Sequence, residues 1–151
     1  MARVRVQETD FDVGRELETL ARGRKDIGAI ASFVGLVRGE DDGDAIAGMT
    51  LEHYPGMTEK ALEGICDEAQ ARWRLLDILV IHRVGRLEPG DRIVLIAVAS
   101  AHRGDAFAAC EFLMDYLKTQ APFWKREDTP AGSRWVEARE SDDSAAQRWK
   151  G

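Results

Sequence analysis

Long apolar runs are missing from this chain. The longest, Ile93 to Ala99, is far too short to cross a bilayer as a helix. The opening MARVRVQETD has no apolar core of the kind a secretory signal needs, so a cytoplasmic protein is expected. Cysteine is scarce: Cys66 and Cys110 both fall inside predicted helices and read as small buried apolar residues with free thiols. Neither G-x-G-x-x-G nor G-x-x-x-x-G-K-[ST] occurs, which leaves nucleotide binding on a glycine-rich loop unsupported. The three histidines, at 53, 82 and 102, have no metal-site spacing, there is no C-x-x-C, and no G-x-S-x-G elbow presents a serine nucleophile. Basic charge is in deficit too, with 21 Lys and Arg against 27 Asp and Glu. A net charge of −6 argues against general nucleic-acid or anionic-membrane binding, both of which need a basic face.

What is present is the composition of an ordinary globule, 44% hydrophobic and 32% charged over 151 residues, which suits a single domain spanning 1–151 with a polar C-terminal tail over 139–151. No repeat, linker or low-complexity tract divides it. Alternation at Val4 and Val6 predicts a first strand. Helical spacing of Val13, Leu17, Leu20 and Ala21 predicts a helix capped by Asp12. A buried strand over Gly28 to Val37 runs into an acidic, glycine-bearing loop, Arg38–Asp44, expected to be mobile, and a second strand covers Ile46 to Glu52. Thr58 is the expected cap of a helix whose apolar stripe is Leu62, Ile65, Cys66, Ala69 and Trp73. The best strands are Ile78 to Val84 and Arg92 to Ala101. A helix then starts at Gly104-Asp105 and is stopped by Pro122. A hairpin pairs Phe123–Glu127 with Arg134–Ala138, and the tail from Ser141 is a polar helix or a loose end anchored by Trp149. Helices and strands mix without strict alternation, which makes the class α+β.

The chemistry gathers between Ser100 and Glu127, where His102, Arg103, Lys118 and Lys125 stand in an otherwise acidic chain. Taken singly, each has a bland reading. Lys118 complements a helix C-terminus, Lys125 guards an edge strand, His102 ends a strand, and Arg103 and Arg38 are surface charges. Taken together they suggest an anion pocket. Arg38 also follows a buried strand, and two such strand ends can be neighbours in a sheet, where arginines hold phosphate bidentately. A lysine ringed by cations is pushed toward its neutral amine, a usable nucleophile or base. The residues alone imply a small phosphorylated ligand and go no further.

Phe33-Val34-Gly35-Leu36-Val37-Arg38, Leu51-Glu52-His53-Tyr54-Pro55-Gly56-Met57, Ile81-His82-Arg83-Val84-Gly85, Ser100-Ala101-His102-Arg103 and Met114-Asp115-Tyr116-Leu117-Lys118 occur in order. With Ala121-Pro122-Phe123-Trp124-Lys125-Arg126-Glu127 and Arg134-Trp135-Val136-Glu137-Ala138, this series closely resembles the large, catalytic subunits of molybdopterin synthases, over about Phe11 to Trp149. The resemblance implies an α/β-hammerhead fold with a small antiparallel β subdomain. It also implies a central homodimer within a heterotetramer, in which a small ubiquitin-like subunit threads a C-terminal Gly-Gly thiocarboxylate into each large subunit. The reaction implied is transfer of two sulfurs to cyclic pyranopterin monophosphate, making the dithiolene of molybdopterin without a metal or other cofactor. By the same resemblance Lys118 and Lys125 are catalytic and also contact substrate. Leu36, Val37, Arg38, His102, Arg103, Arg126 and Glu127 complete the pterin and phosphate contacts, some from the neighbouring subunit. Leu36 stands where some relatives carry lysine, and Gly39 where asparagine often follows the arginine. Two further readings share the basic pocket: a noncatalytic module that docks a ubiquitin-like tail, and a phosphate-ester enzyme that needs no partner.

Overall fold

A computed structural model describes residues 3–41, 43–136 and 140–150. Its first sheet combines β1 (Val4–Gln7), β2 (Ala29–Leu36), β6 (Asp77–Arg83) and β8 (Arg92–Ser100) in the order β1-β6-β8-β2. β1 pairs parallel with β6, and the other two ladders are antiparallel. The two middle strands are apolar almost without interruption because helices cover both faces of the sheet. Ile78, Val80, Val94, Ile96 and Val98 face a core built with α2 (Met57–Arg72) and α3 (Arg103–Gln120). Leu79, Ile81, Leu95, Ala97 and Ala99 face the opposite way, onto Leu17 and Leu20 of α1 (Val13–Ala21).

A second sheet runs β10-β9-β5-β7, from β5 (Gly48–His53), β7 (Gly85–Leu87), β9 (Phe123–Thr129) and β10 (Gly132–Val136). It has its own small core of Val37, Met49, Leu51 and Leu87. The predicted hairpin is there, with strands longer at the turn: Gly132 faces Thr129 and Val136 faces Lys125. Ala138, its expected last residue, lies outside the described residues. α4 (Glu140–Gln147) settles the tail as a helix laid on α3. Beyond it Trp149 meets Phe112 and Trp73 edge to face, at 5.6 and 5.5 Å between centroids, and donates its Nε1–H to Asp115 at 2.6 Å.

Several local expectations change. Asp12 caps α1 as predicted, accepting from the Arg15 amide at 3.1 Å. Thr58, however, lies inside α2 and is fully buried, its hydroxyl donating to the Tyr54 carbonyl. The cap is Gly56, with φ 84°, whose amide donates to Glu59 three residues on, so a left-handed turn position rather than a hydroxyl starts the helix. α3 likewise starts earlier than expected. His102 is its N-cap residue, in extended conformation without a side-chain cap bond, and Asp105 sits in the first turn. The segment after Arg38 folds back as a short ladder, β3 (Glu40–Asp41) against β4 (Asp44–Ala45). β7 had no counterpart in the sequence reading. Lys125 is not on an edge, because β9 lies between β10 and β5; an anti-aggregation role is therefore excluded for it.

Candidate active site

Where the two sheets meet beside the end of α3, a cavity of about 480 Å³ opens. Four pieces of chain bring charge to it. β2 ends at an irregularity between Gly35 and Leu36. Val37 is then pinned by an amide bond to the Asp91 carbonyl and by the Gly90 amide, both under 3 Å, so that buried Val37 and exposed Arg38 line the cavity. The last turn of α3 contributes Leu117 and Lys118, the latter exposed. On β9, the period of two turns Phe123, Lys125 and Glu127 inward. α4 adds Asp142. Glu127 is 5% exposed, and Arg134 lies 3.4 Å from its carboxylate.

Of the residues singled out from the sequence, Leu36, Val37, Arg38, Lys118, Lys125 and Glu127 thus share one cavity. Arg126 does not. The same alternation sends it to the other face of β9, where its guanidinium lies 5.9 Å from the Trp135 ring and its Nε is buried without a hydrogen-bond partner. His102 and Arg103 are exposed and stand far off. The expectation that the strand ends before Arg38 and His102 are neighbours fails within one chain, because β2 and β8 run antiparallel. Ser100 lies opposite Ala29 at one end of the ladder, and Leu36 lies opposite Arg92 at the other. Arg103 and Lys118 are 15 helical steps apart (118 − 103), about 22 Å along the α3 axis.

Several pocket residues had no role in the sequence reading, His82 and Asp142 among them. His82, 5% exposed at the end of β6, lines the cavity, and its ring stacks on Phe123 at 3.9 Å with 17° between planes. Nδ1 lies 2.8 Å from the Arg83 carbonyl, an acceptor, so Nδ1 carries the proton. Burial, reinforced by the charges of Lys118 and His53, pushes this imidazole down to about 4 against the Arg83 bond that opposes the shift. The ring is therefore neutral near pH 7. The signal for it was a polar residue closing the apolar run Ile78–Ile81. Both thiols are buried and free, and burial pushes Cys66 up to about 12 and Cys110 up to about 11. Among the described residues no three His, Cys, Asp or Glu side chains gather as a metal-binding group, and no helix is long and apolar enough to cross a membrane.

The cavity sets three cations, Arg38, Lys118 and Lys125, among three carboxylates, Glu40, Glu127 and Asp142, over an apolar floor of Ile46, Met49 and Leu51. The family described as MoaE protein matches residues 6–120. The molybdopterin synthase catalytic subunit of Ralstonia nicotianae is 62% identical over 149 residues, 99% of this chain and 85% of that protein. The one from Vibrio cholerae is 59% identical over 98% of each. Among solved structures, a molybdopterin biosynthesis MoaE protein from Burkholderia ambifaria superposes with a TM-score of 0.84 at 57% identity, covering 100% of this chain and 99% of that one. Molybdopterin synthase from Staphylococcus aureus gives 0.84 at 32% identity over 91% and 98%.

Proposed function

The chain belongs to the MoaE family of molybdopterin synthase catalytic subunits, enzymes of molybdenum cofactor biosynthesis, and from that premise we propose that its cavity is where sulfur is transferred to a pterin phosphate. In this reading a small ubiquitin-like subunit inserts a C-terminal Gly-Gly thiocarboxylate, and cyclic pyranopterin monophosphate receives two sulfurs in turn. Each transfer makes one carbon–sulfur bond on the pterin in place of a carbon–oxygen bond, the cyclic phosphate opening as one of these oxygens leaves, and water then cleaves the acyl–sulfur bond and restores the tail's carboxylate. The sulfur arrives on the partner, so the two buried thiols have no part in it.

The observation that carries the proposal is the convergence of Lys118, from the end of α3, with Lys125, from the middle of a sheet, and with Arg38 at one cavity. They come from separate parts of the chain, and the cavity that collects them is lined by apolar side chains as well. Lys118 takes the tail's anionic end and shuttles protons there. Lys125 and Arg38 hold the phosphorylated substrate, and Leu36 and Val37 pack against it. His102 and Arg103, remote from this cavity, act on a substrate held by a second copy of the chain. In this reading the active enzyme is a dimer of this subunit with a small subunit on each copy.

The test is a single-turnover assay with thiocarboxylated small subunit and the cyclic precursor. Lys118→Ala should lower product formation by about 10²–10⁴, the worth of one positioned acid–base group, while the small subunit still binds. Full activity in that variant refutes the assignment. Product formed without any small subunit refutes the sulfur source.

A further inference from the structure

His82 sits where the fold asks only for an apolar residue. It follows Ile78 and Val80 on the face of β6 that packs against α2 and α3, and its register partners on either side are Val6 and Val94. Placing a ring with two polar nitrogens there costs desolvation unless both are used. Nδ1–H is used, by the Arg83 carbonyl. Nε2 makes no hydrogen bond among the described residues. Among the described residues the buried side-chain atoms that lack a partner are Arg5 Nε, His53 Nδ1 and Arg126 Nε, and His82 Nε2 is not one of them. An unbonded nitrogen that is not sealed off, on a residue that lines the cavity, opens into the cavity. It presents a lone pair there, in a ring fixed by Phe123 stacking and by the Nδ1 bond.

The location selects what that lone pair receives. A peptide tail entering over Phe123, Leu117 and Ala121 loses the water around its amides, and each N–H then needs an acceptor. If the tail's terminal anion lies at Lys118, the N–H of its last residue is two bonds from the carboxyl carbon, so its acceptor must lie beside Lys118. The carboxylates that line the cavity, Glu40, Glu127 and Asp142, would repel the tail's own charge. A neutral imidazole does not. Resting on the sulfur-transfer reading above, we propose that His82 is the acceptor for the terminal amide of the incoming tail: its Nε2 takes the N–H of the C-terminal glycine while Lys118 takes the anion.

A molybdopterin synthase small subunit made by semisynthesis with glycolate in place of its last glycine has an ester there and no N–H. It would be titrated against this chain and against His82→Phe, which keeps the stack on Phe123, and His82→Gln, which keeps an acceptor near the Nε2 position. One neutral hydrogen bond predicts a loss of about two- to tenfold in tail-dependent affinity for the ester on the unaltered chain. The same loss is expected for His82→Phe with the natural tail, no further loss when both changes are combined, and partial recovery in His82→Gln. Purely additive losses, or an ester that binds as well as the amide, overturn the proposal. So does a His82→Phe variant that binds the tail normally and loses only the pterin precursor. Should His82→Phe fail to fold, the ¹⁵N resonance of Nε2 in the unaltered chain decides: it must shift on binding the amide tail and not the ester. The parent reading is judged separately. If deleting Gly-Gly from the small subunit changes neither affinity nor turnover, sulfur delivery by the tail is wrong. If deletion is damaging and the ester harmless, only the role of His82 is lost.

Discussion

Separating Arg103 from Lys118 has a numerical consequence when two damaged chains are mixed. Along α3 the two residues are about 22 Å apart, and the cavity that holds Lys118 includes neither His102 nor Arg103. If both ends of the helix serve the reaction, a complete site takes Lys118 from one chain and Arg103 from another. Lys118→Ala and Arg103→Ala chains would each be nearly inactive alone. Mixed at equal amounts under conditions that let subunits exchange, about half the dimers carry one chain of each kind. In such a dimer one site has both defects and the other has none. Half the dimers with half their sites intact is about one quarter of the unaltered activity, well above the residue of about 10⁻² or less expected of a chain without its lysine. Dimers isolated through two different affinity tags should reach about one half. The assay is single-turnover product formation with saturating thiocarboxylated small subunit. Isolated mixed dimers no more active than the separate variants would show that the sites are not shared in this way. A fully active Arg103→Ala chain would remove Arg103 from the reaction.

Three other outcomes follow from the packing and titration of single groups. Phe112 is fully buried against Trp73, Tyr116 and Trp149, so Phe112→Ala should cost about 3–5 kcal/mol and lower Tm by roughly 10 °C in a thermal melt. His82 is held neutral in the fold down to about 4, whereas in the unfolded chain it takes a proton near 6.5. The unfolded state therefore binds more protons in that window, and stability falls as pH drops from about 6.5 to about 4, by about 3 kcal/mol from this group. In urea titrations at pH 7 and pH 4, His82→Phe should lose that part of the pH dependence, and an unchanged slope would contradict it. With Cys66 and Cys110 buried and pushed up to about 12 and about 11, iodoacetamide at pH 8 should label neither in the native protein and both in denaturant, read by intact mass.

Much of this was open to inspection in the sequence, and the failures have physical causes. β6 and β8 were legible because both faces are covered, which leaves unbroken runs such as Ile93–Ala99. α1 was legible because Asp12 caps it in the usual way. α2 misled because threonine is a common cap, whereas the Gly56 and Glu59 pair three residues apart was the informative signal. β7 is three residues long and owes its existence to pairing with β5, which no local pattern records. In the site, Lys118 and Lys125 were legible through their motifs. Arg126 was grouped with its neighbours although a strand's period of two already sends it away from Lys125 and Glu127. His82 went unassigned because its value depends on a cavity assembled from β2, α3 and β9, which are distant in sequence.

The same arithmetic explains why a cluster that is compact in sequence is spread over space. α3 carries a cation at each pole. Its N-terminus adds the partial positive charge of its first amides to Arg103, while Lys118 stands in its last turn against the partial negative charge of the C-terminus. The first pole also carries Asp105 in its first turn and lies outside the cavity that holds Lys118. The second lies at a cavity where Arg38, Lys118 and Lys125 are matched by Glu40, Glu127 and Asp142. In the sulfur-transfer reading the phosphate of the substrate lies at the first pole of one copy and beside Lys118 of the other, so a partner's cations approach Lys118 only once the dimer is assembled. In the proposed dimer a two-fold axis then supplies the missing half. If the N-terminal pole of one copy reaches the partner's cavity, symmetry requires the reverse contact as well, and both sites are completed together.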